Sequence, residues 1–252
     1  MIEQRRIVAI LDEAFEGIAT AKANAEKNLQ NARDLFDTQL QSVFSALDTN
    51  WPSRSFDSLA QETLTGLTRS ARDQGGGRRC RYVKMNNIGG DNRFDSSNLV
   101  YVDATDAEVQ RFRLRDGDFL FNTRNSNELV GKSCVFEEFN EGDVVFNNNI
   151  LRVRFHSGVD PQFVLHAFSF KRTRLQLEAM KSGTTNVAAL YYRDLATLEV
   201  PAPDEVTQRK SSAALSAMGI ECDRLADVQR RKLTAFEELK KSLLHQAFNG
   251  AL

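Results

Sequence analysis

The chain has 252 residues, with 33 lysines and arginines against 34 aspartates and glutamates, so its formal net charge is −1. A balance this even excludes a protein that binds nucleic acid through its overall charge, and any such contact must come from a local patch. The cysteines are three in number, and no apolar run reaches the roughly 20 residues that span a bilayer. These features predict a soluble cytoplasmic protein without disulfides or membrane segments.

The first predicted element is one long helix over residues 1–48. Its small and apolar residues recur at alternating spacings of three and four, the pattern of a helix that packs along a partner helix. These residues form an apolar stripe along the helix, and its C-terminal part would be exposed if the helix had no partner helix. The stripe consists of Ile7, Leu11, Ala14, Ile18, Ala21, Ala25 and Ala32, and it continues through Leu35, Phe36, Leu40 and Phe44.

Residues 49–203 are predicted to form one strand-rich mixed domain. Short apolar runs separated by Gly, Asn and Asp are typical of strands joined by turns. Asp160-Pro161 is typical of a helix start, and this helix is predicted to continue to about Met180. The predicted strands lie at 82–85, 99–102, 119–121, 133–136 and 151–155.

A second long helix is predicted over residues 204–252. The segment Val200–Pro203 ends the preceding domain, and Asp204 has the side chain of an N-cap. An apolar stripe follows, and it includes Cys222 and Leu225. We expect Leu225 and Ile18 of the first helix to lie in the contact between the two helices.

The two helices resemble each other. An offset of 204 residues aligns Gln4–Phe44 with Gln208–Phe248 and matches mainly apolar positions, which indicates an internal repeat. The alternative is a chance match between two amphipathic helices. The predicted fold class is therefore α+β, a strand-rich mixed domain flanked by two long antiparallel coiled-coil helices.

No residue pattern predicts a catalytic centre, a metal site or a cofactor site. The three histidines, His156, His166 and His245, are isolated, and no Cys/His spacing is suited to zinc. We expect these histidines to be packed or surface residues.

Several polar segments are candidates for contact with DNA. Residues 69–84 carry six lysines and arginines against one aspartate and include a Gly triplet, and arginine is well suited to reading guanine edges. The alternative is that each segment is an ordinary solvated loop. The candidate DNA-binding residues are Arg78, Arg79, Arg81, Lys84, Asn86, Thr123, Arg124, Asn125, Ser126, Lys171, Arg172, Lys181, Thr184 and Thr185.

The order of several motifs resembles the specificity subunits of type I restriction–modification enzymes. Each motif is short, but together they extend over nearly the whole chain. They are the helix opening Glu3–Asp12, the "GD-apolar … GK" core at Leu114–Phe121 and Val130–Lys132, the segments Ser182–Thr185 and Leu198–Pro203 at the domain end, and the terminal "AFxGxL" pattern in Leu244–Leu252.

This resemblance implies a non-catalytic subunit that binds double-stranded DNA. Its middle region would be a target-recognition domain that reads one half of a bipartite target. Its long helices would bind the methyltransferase (M) subunits, which bring S-adenosylmethionine, and the restriction (R) subunit would join through that assembly.

One departure from the family pattern concerns domain number. Family members typically carry two recognition domains, whereas this chain has one, so it is either a natural half-subunit or the C-terminal half of a longer protein. Two copies paired through the long helices would supply two domains, and the apolar residues Leu35, Phe36, Leu40 and Phe44 favour such a homodimer. A competing interpretation is a coiled-coil scaffold whose middle domain binds protein rather than DNA.

Overall fold

The computed structural model describes residues 2–139, 142–184 and 186–251, and it confirms the α+β class. The helices are α1 (Ile2–Asn50), α2 (Phe56–Leu59), α3 (Asp106–Phe112), α4 (Pro161–Ser169), α5 (Lys171–Met180), α6 (Tyr192–Leu195) and α7 (Glu205–Phe248). The strands are β1 (Ser53–Ser55), β2 (Ala60–Thr65), β3 (Cys80–Val83), β4 (Val100–Val102), β5 (Phe119–Asn122), β6 (Arg124–Asn125), β7 (Ser133–Val135), β8 (Val144–Phe146), β9 (Ile150–Phe155), β10 (Ser182–Gly183), β11 (Ala188–Ala189) and β12 (Glu199–Pro201).

The chain divides into two compact units. The helical unit contains residues 2–40 and 213–251, and the strand-rich unit contains Gln41–Ser212. The strand-rich unit therefore includes the end of α1 and the beginning of α7. None of the described helices is long and apolar enough to cross a membrane.

Local hydrogen bonds set the ends of the long helices. The side chains of Thr49 and Asn50 donate to the carbonyls of Ser45 and Ala46 at 2.9 and 2.7 Å, so α1 extends three residues beyond Leu47. Asp204 accepts from the Thr207 N–H at 2.9 Å, which confirms it as the N-cap of α7. This backbone hydrogen bond also lowers the pKa of the Asp204 carboxyl.

The helical unit pairs α1 and α7 antiparallel, as predicted. Lys22 Nζ lies 2.6 Å from Glu237 Oε1, and Lys240 Nζ lies 5.3 Å from the centre of the Phe15 ring. At the other end of the pair, a Cβ at Gly219 would lie 3.4 Å from the Phe36 ring. As residue numbers rise along α1, those of their partners on α7 fall, which defines the antiparallel direction.

The prediction that Leu225 lies in the contact between the helices is wrong. Leu225 is 52% exposed, whereas Ala226 is 4% exposed. The buried positions of α7 in this region are Leu215, Cys222, Ala226 and Gln229, which follow one another at spacings of seven, four and three. Leu225 precedes Ala226 by one residue, and one residue turns an α-helix by about 100°. Leu225 therefore lies outside the buried face of α7, although it is larger than the buried Cys222 and Ala226.

Two residues that we expected to be exposed are buried within one chain. Leu40 and Phe44 are both fully buried, and only Leu35 of that group remains more than half exposed. In the strand-rich unit, the Phe44 ring lies 5.2 Å from the Phe163 ring and 5.8 Å from the Phe170 ring. Leu40 and Phe44 therefore provide no argument for a homodimer.

The described part of the strand-rich unit contains four small sheets. The largest has the strand order β2-β9-β5-β7 and is antiparallel throughout, with β9 and β5 in its interior. A second sheet, β4-β3-β8, contains the parallel pair β3–β8. The pair β1–β12 joins the first strand to the last, and β10-β11-β6 forms the fourth sheet. The predicted strands are all present, with ends shifted by one or two residues.

The helix predicted from Asp160 to Met180 is two helices, α4 and α5, although Asp160 is confirmed as the N-cap of the first. Phe170 interrupts the helix with an extended backbone, at φ −66° and ψ 133°. The Gln41 side-chain amide forms hydrogen bonds with the end of α4 and with the start of α5. It donates to the Ser169 carbonyl at 3.2 Å and accepts from the Lys171 N–H at 2.8 Å. A side chain 130 positions away therefore stabilises the break.

The burial pattern of α7 predicts opposite results for two neighbouring substitutions. Ala226→Asp places a charge at a buried position, and we expect it to lower the free energy of unfolding by about 3 kcal/mol. Leu225→Asp places the same charge at an exposed position, so its effect should remain within about 0.5 kcal/mol. Urea unfolding monitored by circular dichroism measures both, and equal losses in the two variants would contradict the observed helix contact.

Candidate nucleic-acid interface

The sheet β10-β11-β6 brings together two candidate segments that are about 60 residues apart in the sequence. Ala189 pairs with Arg124 on one side and with Ser182 on the other, and Ala188 pairs likewise with Asn125 and Gly183. The polar turn after β5 and the segment that follows α5 are therefore neighbours. Sequence analysis identified both segments separately but not their pairing.

One face of this sheet presents the candidate side chains. Directly paired residues point to the same face of a sheet, and so do residues two positions apart along one strand. Thr184 and Val187 continue the β10–β11 pairing, because the Thr184 N–H donates to the Val187 carbonyl at 2.8 Å. We call the face that results the small-sheet face, and it consists of Arg124, Ser182, Thr184, Val187 and Ala189.

Arg124 is the exposed cation of the small-sheet face. Its guanidinium makes no hydrogen bond or ion pair with any residue in the described part of the chain. Its backbone is held in place, since the Arg124 N–H donates to Asn122 Oδ1 at 3.3 Å. The next residue is held as well, because Asn125 Oδ1 accepts from the Ser126 N–H at 2.8 Å. A free guanidinium on a fixed backbone is suited to bidentate hydrogen bonding with an external acceptor.

Hydrogen bonds to neighbouring segments fix the position of the sheet. Thr123 Oγ1 donates to the Asn149 carbonyl at 2.9 Å, next to β9. Lys181 Nζ donates to the Asn127 carbonyl at 2.8 Å and pairs with Glu178 at 2.7 Å, so its side chain is only 10% exposed. The observed role of Lys181 is thus to join the end of α5 to the loop that follows β6.

The arginines around β3 are paired with carboxylates of the same unit. Arg78 Nη1 lies 2.8 Å from Asp103, and Arg79 Nη1 lies 2.5 Å from Asp106. Arg79 also approaches Asp143 at 3.7 Å. The hydrogen bond that Arg79 donates to the Asp106 carboxylate raises the pKa of the Arg79 guanidinium. The positive excess seen in the sequence window is therefore offset by acidic residues that follow later in the chain.

The other candidates near β3 have mixed environments. Arg81 lies over the rings of Tyr101 and Phe139, at 5.9 and 5.5 Å from their centres. Lys84 Nζ donates to Gln74 Oε1 at 3.2 Å, and Asn86 is exposed. This group belongs to the β4-β3-β8 sheet, and the hydrogen bonds between strands do not link it to the small-sheet face.

The candidates on α5 are of two kinds: one is exposed, and the other forms an ion pair and a hydrogen bond with other elements. Lys171 is exposed and lies one helical turn before the exposed Arg174. Arg172 instead pairs with Asp48 at 2.7 Å and donates to Ser53 Oγ at 2.8 Å, so it connects α5 to the end of α1. Thr185, the last predicted site residue, lies outside the described residues.

Arg152, Arg154, Glu62 and Asp118 form an ion network within the strand-rich unit. Arg152 is fully buried, pairs with Glu62 and donates to the Arg113 carbonyl at 3.2 Å. Arg154 shares Glu62 and also pairs with Asp118 at 2.7 Å. Burial lowers the pKa of the Arg152 guanidinium, although the neighbouring carboxylates raise it. This network joins β2 and β9 to the turn before β5.

Potential nucleophiles and metal ligands do not assemble into a site within the described ranges. No group of three or more His, Cys, Asp or Glu side chains there could hold a metal ion. Burial raises the pKa of the Cys134 thiol to about 12, so it stays protonated. Burial lowers the pKa of His166 to about 4, as is usual for a packed neutral histidine.

Comparison with known proteins confirms the resemblance seen in the sequence. The chain is 21% identical to the type I restriction enzyme EcoKI specificity subunit of Escherichia coli K12, over 100% of this chain and 56% of that protein. No protein-family model matches the chain.

Two solved structures have the same fold. The HsdS subunit from Thermoanaerobacter tengcongensis matches with a TM-score of 0.63 and 18% identity, over 100% of this chain and 59% of that one. A chain from a structure describing assembly and conformational transition of the type I R-M system matches with a TM-score of 0.78 and 20% identity, over 99% of this chain and 60% of that one. The chain thus spans a little over half the length of the proteins it resembles.

Two glycine substitutions test the rigidity of the small-sheet face. Gly183 has φ +122°, and a Cβ there would lie 2.3 Å from the Val187 carbonyl oxygen. We expect Gly183→Ala to lower the free energy of unfolding by about 1–3 kcal/mol through backbone strain. Gly76 has open space around its Cα, so Gly76→Ala should change stability by no more than about 0.5 kcal/mol. Thermal unfolding compares them, and an unaffected Gly183→Ala variant would mean that the turn is not held as described.

Proposed function

We propose that this chain is a sequence-specific DNA-recognition subunit of a type I restriction–modification complex. The observation that carries the proposal is the match of the whole chain to specificity subunits, in sequence and in fold. The strand-rich unit would read one half of a bipartite target. The helical unit would bind the methyltransferase subunits, and the restriction subunit would join through that assembly.

The small-sheet face is the part of the strand-rich unit that we propose to contact bases. It combines the Arg124 guanidinium, which has no partner among the described residues, with the hydroxyls of Ser182 and Thr184. Arginine binds the O6 and N7 atoms of guanine, and hydroxyls bind several base edges. Lys171 and Arg174 are proposed to contact phosphates, since exposed cations on the same unit give affinity without sequence preference.

The arginines of the β3 region are proposed as weaker contributors to DNA binding. Arg78 and Arg79 would have to exchange Asp103 and Asp106 for phosphate, so the net gain from each contact is smaller. We further propose that the chain performs no catalysis itself and that chemistry belongs to the subunits it binds.

A second copy of the chain would complete a bipartite recognition unit. The described chain carries one strand-rich unit, and a bipartite target requires two at a fixed separation. We propose pairing through the helical unit, where Val228 and Leu239 of α7 remain about half exposed. A two-fold pair would read an inverted-repeat target.

Substitution of Arg124 tests base recognition. We expect Arg124→Gln to weaken binding to the target by about 1–3 kcal/mol and to relax specificity. Lys171→Gln should weaken binding to all duplexes alike and reduce the salt slope by about one. The measurement is a binding titration of the chain assembled with its methyltransferase subunits, on target and scrambled duplexes at several salt concentrations.

The control for these titrations is Arg209→Gln, which removes an exposed charge on the first turns of α7, outside both the small-sheet face and the helical unit. It should leave both affinity and the salt slope unchanged. If neither Arg124→Gln nor Lys171→Gln affects binding, the DNA-contacting face lies elsewhere. If the assembled wild type shows no preference among sequences, the scaffold that binds protein becomes the better interpretation.

Sedimentation tests the proposed pairing. The chain has a mass of 28.4 kDa, and at micromolar concentration we expect a species of twice that mass. Leu239→Asp should shift the equilibrium toward the single chain, because it places a charge in the proposed contact. A single species of 28.4 kDa for the wild type would exclude the pair.

A further inference from the structure

Val187 is a further candidate residue of the small-sheet face that the sequence pattern did not identify. It is 59% exposed, although it is a β-branched apolar side chain next to two buried alanines of β11. Its exposed side chain is not needed to fill the core of the strand-rich unit. An apolar side chain in such a position therefore raises the question of what it contacts.

The turn around Val187 is held by several contacts. Val187 accepts from the Thr184 N–H at 2.8 Å, and the Val187 N–H donates to Thr184 Oγ1 at 3.3 Å. Gly183 packs against the Val187 carbonyl so closely that no side chain would be tolerated there. A β-branched residue has few χ1 rotamers. The backbone is therefore fixed and the isopropyl group has little freedom, so a contact would cost little conformational entropy.

Val187 and Arg124 are expected to lie at a backbone separation similar to the spacing of base pairs. Ala189 is the direct partner of Arg124, and Val187 lies two positions before Ala189, one residue outside β11. The Cα atoms of such diagonal neighbours on one face of a sheet are about 7–8 Å apart. Base pairs are stacked at about 3.4 Å. The Cα atoms of the two residues are thus expected to lie about two base-pair steps apart.

We infer that Val187 contacts the C5-methyl group of a thymine within about two base pairs of the guanine bound by Arg124. The thymine methyl is the apolar group that the major groove presents, and aliphatic side chains recognise it by direct contact. Ala189, between the two residues, adds only a methyl group and leaves room for the base edges. This inference depends on the proposed DNA recognition and names the bases that the small-sheet face would read.

The test uses the chain assembled with its methyltransferase subunits and a pool of duplexes with a randomised centre. Selection of bound duplexes first identifies the target sequence. Each thymine of the selected target is then replaced in turn by uracil, which lacks only the methyl group. For the wild type, we expect one such replacement to weaken binding about fourfold, which corresponds to about 0.8 kcal/mol for one buried methyl group.

Two valine variants complete the test. Val187→Ala should bind the thymine and uracil duplexes equally, because the contact is removed. Val206→Ala is the matched control, since Val206 is a 77% exposed valine on the first turn of α7, outside the small-sheet face. It should keep the fourfold preference, and thermal unfolding should show both variants folded.

The possible outcomes separate this inference from the proposed function. If the pool yields no preferred sequence, the proposed function itself fails. If a target is found but no thymine replacement weakens wild-type binding, the inference about Val187 is wrong and the proposed function stands. A preference for thymine that persists in Val187→Ala also overturns it, because another residue then contacts the methyl group.

Discussion

The pairing of the first strand with the last is the constraint on which the strand-rich unit depends. Ser53 pairs with Pro201, and the Ala202 N–H donates to the Pro52 carbonyl at 3.1 Å. The two ends of the unit are therefore side by side, and Arg172 strengthens this junction through Asp48 and Ser53. A long helix can then precede the unit and another can follow it, because the region between them closes on itself. The antiparallel pairing of α1 and α7 within the helical unit is compatible with this connection.

The arginines of the strand-rich unit differ in whether their guanidinium groups form ion pairs within the unit. Arg152 and Arg154 share the carboxylate of Glu62, and Arg79 pairs with Asp106 at the surface. Removing Glu62 would leave the fully buried Arg152 without its carboxylate partner, so Arg152 contributes to folding first. Arg124 differs because, among the described residues, its neighbours bond only its backbone. A guanidinium that folding does not use can form both of its parallel hydrogen bonds with an external partner.

The small-sheet face combines two types of side chain in one fixed arrangement. Hydrogen bonds to Asn122 and Asn149 hold β6, and Lys181 connects the same region to α5. A surface held in this way binds at a lower entropic cost than a mobile loop. In the proposed function, the polar members would supply direction through hydrogen bonds, and Val187 would supply an apolar contact. Guanine and thymine differ in the groups that they present, so a face with both kinds of side chain could distinguish them.

The sequence alone determined the features that depend on neighbouring residues. The long helices, the N-caps Asp160 and Asp204 and the strands follow from local periodicity and side-chain hydrogen bonds, and the resemblance to specificity subunits follows from motif order. Tertiary structure decided the features that depend on distant residues. Ala226 rather than Leu225 is buried because the position of the partner helix selects the face, and Phe170 interrupts a helix because Gln41 bonds both of its ends. The small-sheet face exists because strand pairing joins segments about 60 residues apart, and hydrogen-bond register between distant strands leaves no local pattern.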